Sequence, residues 1–178
     1  MQESLMSKTY TVLFLFALTA CGGAKNDDSG GPSDEALAAG LWAAMDGYTS
    51  WNQISTWEGI QPSHDGTHGA YVQIWADDDA LAALEAGEPV PDGAILVKEG
   101  YSDVDGTPTG TLTAPRVTAM QKIEGYAPDD GDWFWARYFG DTGEIDSIAG
   151  QSSACTGCHS ADPDADYVWF DDVEPSAE

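Results

Sequence analysis

The apolar positions change period along this chain, and each change marks an element. Leu37, Leu41, Trp42 and Met45 recur every three to four residues behind Ser33, Asp34 and Glu35. This predicts an amphipathic helix over 34–47, with Ser33 as N-cap and acids in the turn where the helix dipole is positive. Residues 48–69 carry Trp51, Trp57 and a turn-rich Pro62-Ser63-His64-Asp65-Gly66 segment. Residues 70–76, with Tyr71, Val72, Ile74 and Trp75, then read as a strand. Asp77 to Asp79 open a short helix whose Leu81 and Leu84 face the core, and Gly87 stops it. After the Asp92-Gly93 turn, strands are predicted at 94–99, near 111–124 and at 133–139, the last running into a turn at Gly140-Asp141-Thr142-Gly143. A short helix at Cys155 and a closing Tyr167-Val168-Trp169-Phe170 segment complete the chain. Helices flanking an antiparallel β-sheet, class α+β, is the economical architecture.

Before residue 34 the pattern differs. Residues 10–20 form an apolar run behind Lys8, too short to span a bilayer as a mature helix, and read as a signal-peptide core. The run ends in Leu18-Thr19-Ala20-Cys21, which resembles a bacterial lipobox, where the cysteine carries diacylglycerol. An ordinary secretory signal with an incidental cysteine is the alternative. Gly22 to Ser33 is rich in Gly, Asp, Asn and Ser without apolar period, as in a disordered tether. The expected organisation is a lipoprotein signal peptide at 1–20, lipidated Cys21 with a tether at 21–33, and one domain at 34–178. Gly22 and Gly23 after Cys21, rather than aspartate, fit an outer-membrane anchor with the domain facing the periplasm.

Charge narrows the partners. Acidic residues number 31 against 6 basic ones, a net charge of −25, and beyond the tether the cations are Lys98, Arg116, Lys122 and Arg137. Nucleic acid is excluded as a partner, since phosphate contacts need clustered cations. An anionic membrane surface repels such a domain, so lipid must do the anchoring. The acidic surface reads either as a solvated, salt-tolerant face or as a docking face for a basic redox partner.

Chemistry enters with Cys155-Thr156-Gly157-Cys158-His159, a C-x-x-C-H motif. Two thiols one helical turn apart add across the two vinyl groups of haem, and the adjacent histidine becomes the proximal iron ligand. A thioredoxin-like pair needs a βαβ context and no adjacent histidine. A zinc site needs a second ligand pair, which Cys21 alone does not supply. The reading is one covalent haem c, attached through Cys155 and Cys158 with His159 on the iron. No methionine follows His159, unlike the small electron-transfer cytochromes, where a downstream methionine fills the sixth position. Strand-like aromatic runs also do not suit the four-helix cytochromes c-prime. An open sixth position follows, and some of the four cations are expected to pair with the haem propionates.

Several segments occur in a fixed order: Pro91-Asp92-Gly93 leading into Val97-Lys98-Glu99, then Met120-Gln121-Lys122, then Gly131-Asp132-Trp133-Phe134-Trp135, then the C-x-x-C-H motif followed by Asp166-Tyr167-Val168. Together, over residues 34–171, they resemble the cytochrome P-460 family, which includes the beta-type cytochromes c-prime. The resemblance implies a mainly antiparallel sheet packed with helices, a five-coordinate c-type haem and often a homodimer. It also implies one of two activities. Some members oxidise hydroxylamine with a haem cross-linked to a lysine, passing electrons to an acceptor cytochrome; others bind nitric oxide or carbon monoxide without the cross-link.

Lys98 matches the cross-linking lysine. Strand alternation puts Leu96 and Lys98 on one face, aiming the amine at a porphyrin edge; the alternative is a surface lysine or a propionate partner. Val117 stands where the oxidising members carry a distal carboxylate, and no arginine precedes Arg116. Glu99 and Glu124 are the candidate substitutes. A distal face lined by Val117 and aromatics favours an apolar diatomic ligand over a polar amine. His64 and His68 form H-x-x-x-H, but Asp65-Gly66 between them argues for a turn rather than a metal pair. His68 is expected in a structural role at the entry to the first strand, with sixth-ligand duty the alternative. The first reading is a haem protein binding nitric oxide or a similar small nitrogen or diatomic ligand at an open iron. The hydroxylamine- or nitric oxide-oxidising enzyme comes second and a plain electron carrier third.

Overall fold

The computed structural model describes residues 31–53, 58–63 and 66–168, those of 110–116 as backbone alone. Six strands form one antiparallel sheet in chain order: β1 (Gln61–Pro62), β2 (Tyr71–Ala76), β3 (Ile95–Val104), β4 (Thr107–Lys122), β5 (Trp133–Tyr138) and β6 (Ile145–Ala149). With helices on its faces, the domain is α+β.

The register decides which side chains meet. Across β2 to β5, Ile74 pairs with Lys98, Lys98 with Thr118, and Thr118 with Arg137; one step along, Leu96 pairs with Met120 and Met120 with Trp135. The pleat places all of these on one face and sends Val97, Glu99, Val117, Ala119, Phe134 and Tyr138 to the other.

Helix α1 (Asp34–Ala44) covers the second face. Its buried Ala38 and Leu41, with Met45 just beyond, pack on Val97, Val117, Ala119, Phe134 and Tyr138. Ser33 caps the helix through the Ala36 N–H, as its sequence position predicts. The helix stops three residues short of the predicted end. The Met45 N–H closes on Leu41, and the chain turns at Gly47 into a 3-10 segment, Tyr48–Ser50. The buried Tyr138 hydroxyl donates to the Ala38 carbonyl at 2.8 Å, tying helix to sheet.

Helix α2 (Asp78–Ala86) packs on the first face, near Val72, Ile74 and Leu96. Ala80 and Ala83 make its buried contact, with Leu81 and Leu84 at the edge. Two observed features depart from the predicted pattern. Strand β4 begins at Thr107, because Asp105 and Gly106 both take positive φ and form a two-residue hairpin turn. Strand β6 was not anticipated: Ser147 has φ 56° and the β5–β6 register shifts, so its apolar positions do not alternate. Tyr167 and Val168 form no strand, and Trp169 and Phe170 lie outside the described residues. No helix among the described residues is long and apolar enough to cross a membrane; the apolar run at 10–20 lies outside them.

Asp77 joins α2 to the sheet: one carboxylate oxygen accepts the Ala80 N–H and the other the Ile95 N–H, each at 2.8 Å. Asp77→Ala is expected to lower unfolding free energy by about 1–2 kcal/mol, as lost N-caps do. Urea denaturation followed by tryptophan fluorescence checks this.

Candidate haem site

The C-x-x-C-H motif occupies helix α3 (Ser153–His159). Ser152 caps it through the Ala154 N–H, and the Thr156 hydroxyl donates back to the Ser152 carbonyl. Residues three apart share a helix face, so Cys155 and Cys158 lie on the same side. Cys155 is half-buried against the first-face core and Cys158 is exposed. Burial pushes the Cys155 thiol above its ordinary range, while the Arg137 charge and a Ser152 hydrogen bond pull less strongly the other way. An activated redox cysteine is shifted in the opposite sense, and this antiparallel sheet offers no βαβ unit. Both observations count against the redox-pair alternative. Among the described residues, no three His, Cys, Asp or Glu side chains are grouped to hold a metal ion.

His159 is oriented from behind. Its Nδ1 lies 2.7 Å from the Tyr167 carbonyl oxygen. A carbonyl only accepts, so Nδ1 carries the proton and the lone pair sits on Nε2, the tautomer an iron ligand requires. The imidazole packs on Trp135, with ring centroids 4.5 Å apart.

The backbone that presents Tyr167 is strained. Asp166 and Tyr167 have φ 53° and 65°, and left-handed residues with a Cβ cost about 1 kcal/mol or more each. Hydrogen bonds offset this. Asp166 accepts Lys122 Nζ at 2.5 Å on one carboxylate oxygen and the Val90 N–H at 2.8 Å on the other. Its carbonyl accepts the Trp133 indole N–H at 2.8 Å. The Tyr167 ring lies over Gly131, where a Cβ would stand 2.5 Å from it.

A solvent-open cleft lies on this first face. Its floor is Ile74, Leu96, Lys98, Thr118, Met120, Trp135 and Arg137, and its walls include Cys155, His159, Val168 and His68. Strand alternation brings Lys98 there, as the sequence predicts. Arg137 is bound at the cleft by Asp146, 2.7 Å from Nε, and by the Ser147 hydroxyl, 2.7 Å from Nη2. Lys122 is taken by Asp166 and stands 4.9 Å from the centre of the Trp133 ring. Of the four expected propionate partners, Lys98 and Arg137 therefore border the cleft, Lys122 serves the clamp, and the Arg116 side chain is not among those described.

Three expectations need correction. Val117 does not line the cleft: it pairs with Glu99 in register and is buried under α1, on the opposite face. Its position is one residue from the cleft-facing Thr118, and a single step along a strand reverses the face. Glu99 is no substitute carboxylate, because its oxygens accept the Tyr48 and Tyr101 hydroxyls beneath α1; Glu124 is exposed and does not line the cleft. His68 lies just before β2, where a structural role is expected of it, and also borders the cleft; His64 lies outside the described residues. Met120 and Trp135 are cleft residues that the sequence reading did not single out, although the β4–β5 alternation contained that signal.

These residues fit a haem. Two thiols on one helical face adjoin an imidazole of the right tautomer and a flat, largely apolar floor. Trp135 adds a buried indole N–H with no acceptor, a loss of about 1–3 kcal/mol that a polar group in the cleft would remove.

An antiparallel meander carrying this donor set around one cleft defines a cytochrome. The family described as Cytochrome P460 matches residues 45–170, and the chain belongs to that family; it is a haem protein. No curated protein gives a significant match.

Asp166→Ala removes the partner of Lys122 and leaves the Val90 N–H unsatisfied. It is expected to cost about 2–4 kcal/mol, measured by chemical denaturation of the holoprotein, with Asp166→Asn intermediate.

Proposed function

We propose that this chain is an exported, lipid-anchored haem c protein whose open iron site binds nitric oxide or a similar small nitrogen or diatomic ligand. One observation carries the reading: the described lining of the cleft contains no Asp or Glu. Oxidation of hydroxylamine needs a proton acceptor at the reacting nitrogen, a role left in the described lining to the His68 imidazole rather than to a carboxylate, whereas a diatomic ligand needs only a shaped space beside the metal. When bound, the haem supplies an iron with a vacant sixth coordination position.

The chain's own groups do the rest. Cys155 and Cys158 hold the cofactor, and the Tyr167 carbonyl keeps the His159 proton on Nδ1. Ile74 and Leu96 give the floor its apolar surface. Met120 is the one thioether in the described lining, and it pairs with Trp135, the residue on which His159 packs.

Lys98 supports a second reading, in which its amine is bonded to the porphyrin and the protein oxidises hydroxylamine or nitric oxide for an acceptor cytochrome. The lysine's place on the cleft floor favours closeness to the haem; the lack of Asp and Glu in the described lining argues against turnover. A plain electron carrier is disfavoured, since such proteins saturate both axial positions.

The soluble form without residues 1–21, matured in cells that attach haem c, separates these readings. An ordinary five-coordinate ferrous spectrum that shifts with nitric oxide, unchanged in Lys98→Ala, is expected. A broad, red-shifted Soret band that disappears in Lys98→Ala would establish the enzyme instead. For the anchor, Cys21→Ser in the full chain is expected to move the protein from the membrane to the soluble fraction; retention in the membrane would contradict lipidation there.

A further inference from the structure

We propose that His68 is the polar contact for a small ligand at the iron, donating a hydrogen bond to it from across the cleft opposite His159. The inference rests on the open iron site proposed above.

His68 is half-buried and borders the cleft, and the backbone beside it is built to hold it there. Gly69 has φ 134°, and a Cβ at that position would stand 2.9 Å from both the amide nitrogen and the carbonyl oxygen of Tyr101. Only glycine lets two backbones approach so closely. The Ala70 N–H donates to the Tyr101 carbonyl at 2.9 Å, and the Gly69 N–H to the Gly66 carbonyl at 3.1 Å. The residue after His68 is thereby seated on β3 at Tyr101, three residues along the strand from Lys98.

His159 enters from the other corner of the cleft. It packs on Trp135 of β5, in the register row that runs through Met120 and Leu96. His68 belongs to the β2 side and to the opposite end of the floor. Strands β2 and β5 are three spacings apart, about 14 Å, with the paired Lys98 and Thr118 on the two strands between them. The two imidazoles thus line the same cleft, one from the segment before β2 and the other from α3.

Imidazole suits the task. One nitrogen of a neutral imidazole ring donates a hydrogen bond, so such a ring can make a polar contact to a bound ligand without adding a further charge to the cleft. Ile74 and Leu96 give the same floor an apolar surface, beside which a hydrogen bond counts for more than in bulk water. A donor here favours a ligand whose outer atom gains negative charge on binding iron, which discriminates among diatomic molecules of similar size.

The test uses the ferrous holoprotein with carbon monoxide and nitric oxide as probes, comparing wild type with His68→Leu and His68→Gln. In His68→Leu the C–O stretching frequency is expected to rise and nitric oxide to dissociate about tenfold faster, the effect of one hydrogen bond. Gln, which keeps a donor, is expected to restore most of both. Wild type that binds both gases with frequencies and rates unmoved in His68→Leu would overturn the role of His68 while leaving the open iron intact. A six-coordinate wild-type spectrum that becomes five-coordinate only in His68→Leu would make His68 an iron ligand and overturn the proposal and the open site together.

Discussion

The backbone at Asp166 and Tyr167 holds two consecutive residues in a left-handed conformation, and through the Tyr167 carbonyl it sets the proton and ring orientation of His159. Such a conformation persists only when surrounding contacts over-determine it. Here they come from three directions: the Lys122 ammonium from β4, the Val90 amide from the segment after α2, and the Trp133 indole from β5. The metal-ligand tautomer is thus fixed by the sheet itself. A local helix motif supplies the donors, and long-range packing decides which way the histidine faces.

The sheet separates two kinds of polar chemistry. Lys98 and Glu99 are neighbours in sequence, yet the pleat sends one to the cleft and the other under α1. In a chain with 31 acids and 6 bases, a buried carboxylate often finds a phenol as partner. Glu99 accepts from Tyr48 and Tyr101, and Asp34 accepts from Tyr126. Burial first, and then the neighbouring carboxylate, pushes the Tyr48 and Tyr101 hydroxyls far above their ordinary range and that of Tyr126 up to about 12. These protons stay on the phenols, so the α1 side is structural and the ionic groups near the site, Arg137 and Lys98, lie on the cleft side.

Much of this was legible in the sequence because it is local. Ser33 and Asp77 announce helix starts by capping chemistry, the strands show as apolar runs, and C-x-x-C-H needs only one helical turn. Lys98 on the cleft face follows from two-residue alternation. What was not legible depended on register between strands. From the sequence Val117 reads as a distal residue, but it lies one step from the cleft-facing Thr118 and so on the other face of the sheet. That His68 also borders the cleft was not legible, because the Gly69 beside it is pressed on Tyr101, about thirty residues away along the chain. Strand β6 was missed because Ser147 interrupts its alternation with a positive φ.

The central claim is that His159, held by the Tyr167 carbonyl, is the single protein ligand on an otherwise open iron. Resonance Raman spectroscopy of the ferrous protein tests it most directly, since an iron–histidine stretching band is seen in five-coordinate, high-spin haem. The account predicts that band, and predicts that it shifts when Asp166→Ala loosens the Tyr167 carbonyl. A low-spin, six-coordinate spectrum without the band would contradict it.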